Sequence, residues 1–155
     1  MIMYDVAIKK IPAQKVAFIR RILPNYGAIG GLFPELFGGP IMGKVRFLGP
    51  PMGIYHDIEF HEKDVDVEIA IPVEGEVPGG GAVAAREIPA FEAACLVYQG
   101  SYERIGEAYN AAMAWLEPNS YRIAGPIREV YMHGPGDAKD PVEYLTEIQV
   151  PVEKA

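Results

Sequence analysis

A carboxylate and a tyrosine lie two residues apart in a segment with the pattern of a β-strand. Glu129 and Tyr131 flank Val130, and side chains two positions apart in a strand lie on the same face. A carboxylate beside aromatic rings suits an organic cation, because the ring faces attract positive charge and the carboxylate balances it. The alternative is an ordinary solvated glutamate on an exposed strand face, and these residues alone leave both interpretations open.

A repeated pattern along the chain distinguishes Glu129 from other carboxylates. Several segments recur in the same order at an offset between 76 and 79 residues, which indicates an internal duplication. The matches are Ile11-Pro12-Ala13 with Ile88-Pro89-Ala90, Tyr26 with Tyr102, Gly49-Pro50 with Gly125-Pro126, Ile54-Tyr55 with Val130-Tyr131, and residues 68–74 with 147–153. Glu68 and Glu147 are matched, which favours a structural or solvent-facing role for both. Glu129 is matched by Gly53, so its carboxylate occurs in one half only.

The elements that must position these residues follow one order in each half: a strand, a helix opened by a tyrosine, and two further strands. Apolar residues at helical spacing predict a helix over Tyr102–Leu116, with Ser101 as N-cap and Pro118 ending it. A weaker helix is predicted from Tyr26 to Phe37, interrupted by glycines and Pro34. The last strand of each half alternates apolar and polar residues over 65–73 and 145–150.

The predicted fold class is therefore α+β. Two β-α-β-β units related by a pseudo-two-fold axis would form an antiparallel sheet with two main helices and a central cleft, the natural ligand site. We expect one domain over 1–155, with halves of roughly 1–76 and 82–155 and a Gly-rich linker at 75–81. We expect aromatic walls for the site, and the candidates beside Glu129 are Tyr131, Tyr144, Tyr55, Trp115, Tyr102 and Phe33.

Composition and charge exclude several other classes of function. The net charge is −7 and the pI about 5.0, so direct binding to nucleic acid, which relies on a basic face, is not expected. Cys95 is the only cysteine, is predicted to be buried, and excludes an internal disulfide or a cysteine zinc cage. The histidines lack metal-ligand spacing and no dinucleotide or phosphate-binding motif is present, so neither a metal nor a cofactor is expected. Without a signal peptide or a membrane-spanning run, the expected location is the cytoplasm, away from membranes.

Four segments together resemble the GyrI-like effector-binding family, the ligand domain of AraC- and MerR-type multidrug-responsive regulators such as BmrR. They are residues 49–57, residues 98–109, Gly125-Pro126-Ile127-Arg128-Glu129-Val130-Tyr131, and residues 145–152. The resemblance covers essentially the whole chain. It implies a duplicated βαββ fold and a cleft in which aromatic side chains surround one glutamate and bind hydrophobic cations. By position on the strand that glutamate is Glu129, and a pocket tyrosine of the family matches Tyr144.

The pattern and the resemblance leave three functions open. The first is a standalone sensor or sequestering protein for an amphipathic, cationic small molecule. The second is a hydrolase of cyclopropanoid-type electrophiles, as described for some relatives, with Glu129 as general base on a water. The third is a protein-interaction role, such as gyrase protection or a subunit of a transcription regulator. A DNA-binding module of the kind that precedes this domain in the regulators is not expected within this chain, so a homodimer or a regulator partner is allowed.

Overall fold

The computed structural model describes residues 4–39, 41, 43–57, 62–78, 81–134 and 140–155. In chain order its strands and α-helices are β1 (Ala7–Ile11), β2 (Gln14–Leu23), α1 (Leu32–Phe37), β3 (Arg46–Phe47), β4 (Met52–Tyr55), β5 (Val65–Glu74), β6 (Ala84–Ile88), β7 (Phe91–Gln99), α2 (Gly106–Leu116), β8 (Tyr121–Ile123), β9 (Ile127–His133) and β10 (Leu145–Lys154). Short 3-10 helices cover Tyr26–Gly31, Tyr102–Arg104, Glu117–Asn119 and Pro141–Glu143. Within the described ranges, no helix is long and apolar enough to cross a membrane.

Two compact units make up the chain. The N-terminal unit is Ala13–Pro89, and the C-terminal unit combines Ala90–Ala155 with the segment up to Pro12. The boundaries thus fall within the two Ile-Pro-Ala segments, whereas the sequence halves meet at the Gly-rich segment 75–81, of which residues 79 and 80 lie outside the described residues. Strand pairing is the reason, because β1 pairs with β7 and β6 pairs with β2.

The N-terminal unit has the strand order β4-β5-β2-β6, with β3 paired to β5, and all of these pairs are antiparallel. The predicted alternation of β5 is confirmed. Its apolar residues lie in a core with Leu32 and Leu36 of α1, and they are Val65, Val67, Ile69, Ile71 and Val73. The polar residues Asp66 and Glu68 therefore lie on the opposite face of β5.

The weaker predicted helix is divided in two. Its first part is the 3-10 helix Tyr26–Gly31, which begins where the side chain of Asn25 accepts a hydrogen bond of 3.0 Å from the backbone N–H of Ala28. Its second part is α1, where Pro34 falls in the first turn. A proline costs little there, because the backbone N–H that it lacks has no partner within the helix.

The C-terminal unit has the antiparallel order β1-β7-β10-β9, with β8 paired to β10. Its core joins α2 to the sheet through the small side chains of Ala108 and Ala112, which allow close approach to Ile148 and its neighbours. The second predicted helix is confirmed as a 3-10 turn followed by α2. Ser101 lies at the predicted N-cap position, but its side chain makes no capping hydrogen bond, and its carbonyl accepts a hydrogen bond of 2.6 Å from the hydroxyl of Tyr98. The α+β class is thus confirmed.

Candidate functional site

Glu129 is a buried carboxylate on the face of β9 that α2 covers. It is 8% exposed and stands opposite the fully buried Ile148 of β10. The hydroxyl of Tyr109, from α2, donates a hydrogen bond to Oε2, and the hydroxyl of Tyr131 donates one of 3.3 Å to Oε1. The interpretation of Glu129 as a solvated surface residue is therefore wrong.

Two hydrogen bonds to Glu129 come from neutral groups. Hydrogen bonds to an ionised acceptor are strong, so the hydroxyls of Tyr109 and Tyr131 hold the carboxylate in a defined orientation. Because neither hydroxyl is charged, these two contacts leave the negative charge of the carboxylate in place. A buried negative charge of this kind attracts a cation more strongly than one in water, since screening is weaker inside a protein.

Three tyrosine rings form a cluster that reaches this carboxylate through Tyr131. The ring of Tyr102 lies edge-on to that of Tyr131, with centroids 5.9 Å apart, and tilted against that of Tyr144 at 5.3 Å. Burial raises the pKa of Tyr102, and the neighbouring Tyr144 and Glu129 raise it further. Tyr102 thus stays a neutral phenol near the carboxylate, while its side chain remains 39% exposed. We call Tyr102, Tyr131 and Tyr144 the tyrosine cluster.

A glycine turn places this cluster. Gly100 follows β7 with a φ of 141°, in the region that favours glycine. A Cβ at this position would lie 2.8 Å from the hydroxyl oxygen of Tyr98. The backbone N–H of Gly100 donates a 2.9 Å hydrogen bond to the carbonyl of Tyr144. This turn therefore ties the start of the Tyr102 helix to the segment that carries Tyr144.

Charged groups on the opposite face of the same strands have other partners. The guanidinium carbon of Arg128 lies 4.0 Å from the centre of the Phe91 ring. Glu147 accepts hydrogen bonds from Lys9 at 2.8 Å and from Gln149 at 2.7 Å. Glu129 is thus a carboxylate of the C-terminal unit that faces the helix side and the tyrosine cluster, whereas Glu147 faces away from them.

Comparisons with known proteins identify the family of the chain. The family model described as GyrI-like small molecule binding domain matches residues 4–153. The chain belongs to the GyrI-like family. It is a small-molecule-binding domain, as predicted from the sequence. A comparison with curated proteins gave no match.

Solved structures give the same family assignment. The chain is 32% identical to the EcmrR C-terminal domain, with a TM-score of 0.92, and the match covers 99% of this chain and all of that one. In the EcmrR–DNA complex the match has 32% identity and a TM-score of 0.91 and covers 98% of this chain. This chain spans 58% of the length of that regulator. A hydrolase from Listeria innocua shares the fold, with 13% identity, a TM-score of 0.66 and coverage of 96% and 91% of the two chains.

The residues predicted for the site lie in two places. Glu129, Tyr131, Tyr102 and Tyr144 come together in the C-terminal unit as described. Trp115 is in the same unit but stacks on Tyr121, at 5.7 Å between centroids. Tyr55 and Phe33 are in the N-terminal unit, where both pack against its core, Tyr55 beside Tyr26 and Phe33 beside Phe37. As ligand contacts, these residues remain predictions.

Tyr109 is the member of this site that the sequence reasoning missed. The helical spacing of apolar residues after Tyr102 includes Tyr109 and predicts that it lies on the apolar face of the second helix, and it does pack partly against the core. Its position three residues after Gly106, on the covered side of α2, also brings its hydroxyl to Glu129. The available signal was the hydroxyl itself, because a buried tyrosine hydroxyl needs a hydrogen-bond partner.

Among the described residues, no group of three or more His, Cys, Asp or Glu side chains is arranged to hold a metal ion.

Proposed function

We propose that this domain binds a hydrophobic organic cation at Glu129, as a multidrug-type effector sensor or sequestering protein. The observation that carries the proposal is the buried carboxylate held by Tyr109 and Tyr131, which are neutral donors, beside the tyrosine cluster. Aromatic faces supply apolar contact and attract positive charge. The membership of the chain in the GyrI-like family supports the small-molecule class of the ligand.

The size of the charge effect follows from the burial of Glu129. A cation about 5 Å from this carboxylate gains about 3 kcal/mol at an effective dielectric constant of about 20. The cation also loses hydration on binding, which reduces the net gain. We therefore expect Glu129 to improve the affinity for a hydrophobic cation by at least about tenfold.

Tetraphenylphosphonium and tetraphenylborate test this charge effect, because the two ions have nearly the same shape and opposite charge. Isothermal titration calorimetry should show that the wild-type protein binds the phosphonium and discriminates against the borate. In Glu129→Gln, phosphonium affinity should fall by about tenfold or more and the discrimination should shrink.

Glu147→Gln is the matched control for this experiment. It removes one negative charge from the neighbouring strand, on the opposite face of the sheet, where Glu147 binds Lys9. If Glu129→Gln weakens phosphonium binding no more than Glu147→Gln does, the effect is one of net charge and the assignment to Glu129 is wrong. Equal affinity of the wild-type protein for both ions would also contradict the proposal.

A second candidate function is hydrolysis of a cyclopropanoid-type electrophile. The observation that favours it is the contact of Glu129 with Tyr109 and Tyr131, since a carboxylate can accept a proton from water while a nearby hydroxyl orients the substrate. Incubation of the protein with such an electrophile, followed by mass spectrometry, separates the two functions. If the wild-type protein forms a ring-opened product over multiple turnovers and Glu129→Gln does not form it, hydrolysis is favoured over binding.

The proposed sensing role requires a partner that reads the ligand state. Similarity to EcmrR, which has been solved in a complex with DNA, supports a regulator partner, and a homodimer is the alternative. A pull-down from a native lysate with and without tetraphenylphosphonium tests this role. A partner that responds to the ligand favours sensing, and retention of the ligand by the isolated protein alone favours sequestration.

We also propose that the two units arose by duplication. Tyr26 and Tyr55 of the N-terminal unit are edge-on at 5.8 Å, and their sequence matches Tyr102 and Tyr131 are edge-on at 5.9 Å. Gly53 stands opposite Ile69 on the neighbouring strand, as Glu129 stands opposite Ile148. The aromatic pair is thus common to both units, and the carboxylate distinguishes the C-terminal one.

A further inference from the structure

Thr146 is a second polar residue that distinguishes the two units. On β10 it stands opposite Tyr131 of β9 and Tyr98 of β7. The corresponding residue opposite Tyr55 in the N-terminal unit is Val67. Threonine and valine have nearly the same shape, so the C-terminal unit differs at this position by one hydroxyl. Both polar differences, Glu129 for Gly53 and Thr146 for Val67, therefore occur in the same unit and on the same face.

The hydroxyl of Thr146 has no hydrogen-bond partner among the described residues, and the side chain is fully buried. Leaving a buried hydroxyl unpaired costs folding free energy, whereas an apolar side chain of the same shape would avoid that cost. Strand propensity does not explain the residue, because Thr146 is the only threonine of the chain and the other β-branched positions are valine or isoleucine. An unpaired buried hydroxyl calls for an explanation, and a ligand that pairs with it is one.

The register places Thr146 and Glu129 on the same face of two neighbouring strands. Glu129 stands opposite Ile148, so Thr146 is its diagonal neighbour, and the backbones of such residues are about 7–8 Å apart. The ladder also shifts register between Leu145 and Thr146, and irregularities of this kind often lie beside functional sites, where they re-aim side chains.

Thr146 is fully buried, so a ligand reaches it only if a neighbouring side chain moves. Tyr102 packs against Tyr131, the cross-strand neighbour of Thr146, and against Tyr144, two residues before it. Tyr102 is 39% exposed and belongs to a 3-10 helix of one turn. It is the most exposed member of the tyrosine cluster, and we expect it to move outward when a ligand enters.

We infer that Thr146 is a specificity-determining residue, and that the preferred ligand is an aromatic cation carrying a hydrogen-bonding group on the order of 7 Å from its positive centre, a spacing set by the separation of the two residues. This inference rests on the proposed binding of cations at Glu129. It narrows the ligand class from any hydrophobic cation to one with a hydroxyl, amine or carbonyl group at that distance. A threonine hydroxyl both donates and accepts, so it pairs with each of these groups.

Two phosphonium ions of matched size test the inference. One is para-(hydroxymethyl)phenyl-triphenylphosphonium, whose hydroxyl reaches to about the required distance, and the other is para-ethylphenyl-triphenylphosphonium, which lacks a hydrogen-bonding group. Calorimetry should show that the wild-type protein prefers the hydroxyl compound by about fivefold. In Thr146→Val this preference should disappear, while affinity for the ethyl compound should be kept.

The ligand-free variants supply an independent measurement. Thr146→Val should melt within about 1 °C of the wild-type protein or higher, because no hydrogen bond is lost. Val67→Thr, the reciprocal control, should melt lower, since it buries a new hydroxyl, and should leave the preference for the hydroxyl compound unchanged. A decrease of about 3 °C or more in Thr146→Val would show that the hydroxyl already has a structural partner, which overturns the inference.

The failures of the two proposals are distinguishable. If both phosphonium ions bind the wild-type protein and the preference is absent, or is retained in Thr146→Val, only the role of Thr146 is overturned. If neither phosphonium ion binds the wild-type protein, the proposed cation site falls, and the role of Thr146 falls with it.

Discussion

The buried ion cluster of the N-terminal unit allows a stability prediction with a worked magnitude. Glu68 is 1% exposed and accepts hydrogen bonds from Arg86, at 2.7 to 3.1 Å, and from His56, at 2.7 Å. We call these three residues the Glu68 cluster. The change Glu68→Gln removes the negative charge and puts an amide N–H₂ group among donors. The guanidinium of Arg86 is then a cation that has lost the counter-charge of Glu68.

The loss in free energy of unfolding that we expect for Glu68→Gln lies near the lower end of the range for broken buried ion pairs. Removing one partner of such a pair costs about 3–5 kcal/mol. The side chain of Arg86 is 38% exposed, so water solvates part of the charge left behind, and we expect about 3 kcal/mol for Glu68→Gln. For a chain of this length that corresponds to a decrease in Tm of about 6–12 °C.

Differential scanning calorimetry, together with urea unfolding followed by circular dichroism, measures this loss. Glu153→Gln is the matched control, because Glu153 pairs with Arg122 on the surface, where the two side chains are 54% and 64% exposed. That change should cost less than about 1 kcal/mol. Replacing both Glu68 and Arg86 by methionine should cost less than the sum of the single changes. Additive losses, or a loss below about 1 kcal/mol in Glu68→Gln, would refute the reasoning.

Three further predictions follow from described contacts. Burial by itself would raise the pKa of Glu68, but the hydrogen bonds from His56 and Arg86 outweigh it and hold the pKa below 4.5. The stabilisation by ionised Glu68 is therefore complete above about pH 4.5 and is lost as the pH falls through the lower folded-state pKa. In acid titrations, the difference in free energy of unfolding between the wild-type protein and Glu68→Gln should become smaller over that range. Tyr109→Phe should lower the free energy of unfolding by about 1.5 kcal/mol, because Oε2 of the buried Glu129 loses a donor. Chemical denaturation should show that most of this penalty disappears when Tyr109→Phe is made in a protein that already carries Glu129→Gln. Burial raises the pKa of the Cys95 thiol to about 12, so a thiol reagent such as dithionitrobenzoate should modify it at pH 8 only after unfolding; rapid labelling of the native protein would contradict this burial.

Local patterns predicted most of the elements, because burial on one face of a sheet imposes a strict period of two on the sequence. The alternation of β5 predicted which of its residues form the core, and the helical spacing after Tyr102 predicted α2. The same alternation placed Glu129 and Tyr131 on one face, which the hydrogen bond between them confirms. The burial of Cys95, predicted from its apolar neighbours, is also confirmed.

The sequence was less informative where partners distant along the chain decide the structure. The repeat predicts a structural or solvent-facing role for both Glu68 and Glu147. It does not show that Glu68 is buried with His56 and Arg86 while Glu147 binds Lys9. Ser101 occupies the predicted N-cap position, but its side chain makes no capping hydrogen bond, and the hydroxyl of Tyr98 donates to its carbonyl. Such partners are chosen by strand register, which a local pattern leaves open.

By itself, the sequence determined the α+β class, the face of each principal strand, the family resemblance and the singling out of Glu129, because these depend on residue type and periodicity along one segment. Only the tertiary structure decided that α2 brings Tyr109 to Glu129, that β1 and β6 each pair with a strand of the other sequence half, and that the hydroxyl of Thr146 is buried opposite Tyr131. The physical reason is that hydrogen-bond partners and burial are properties of pairs of segments, and these pairs form only when the sheet register and the helix packing are set.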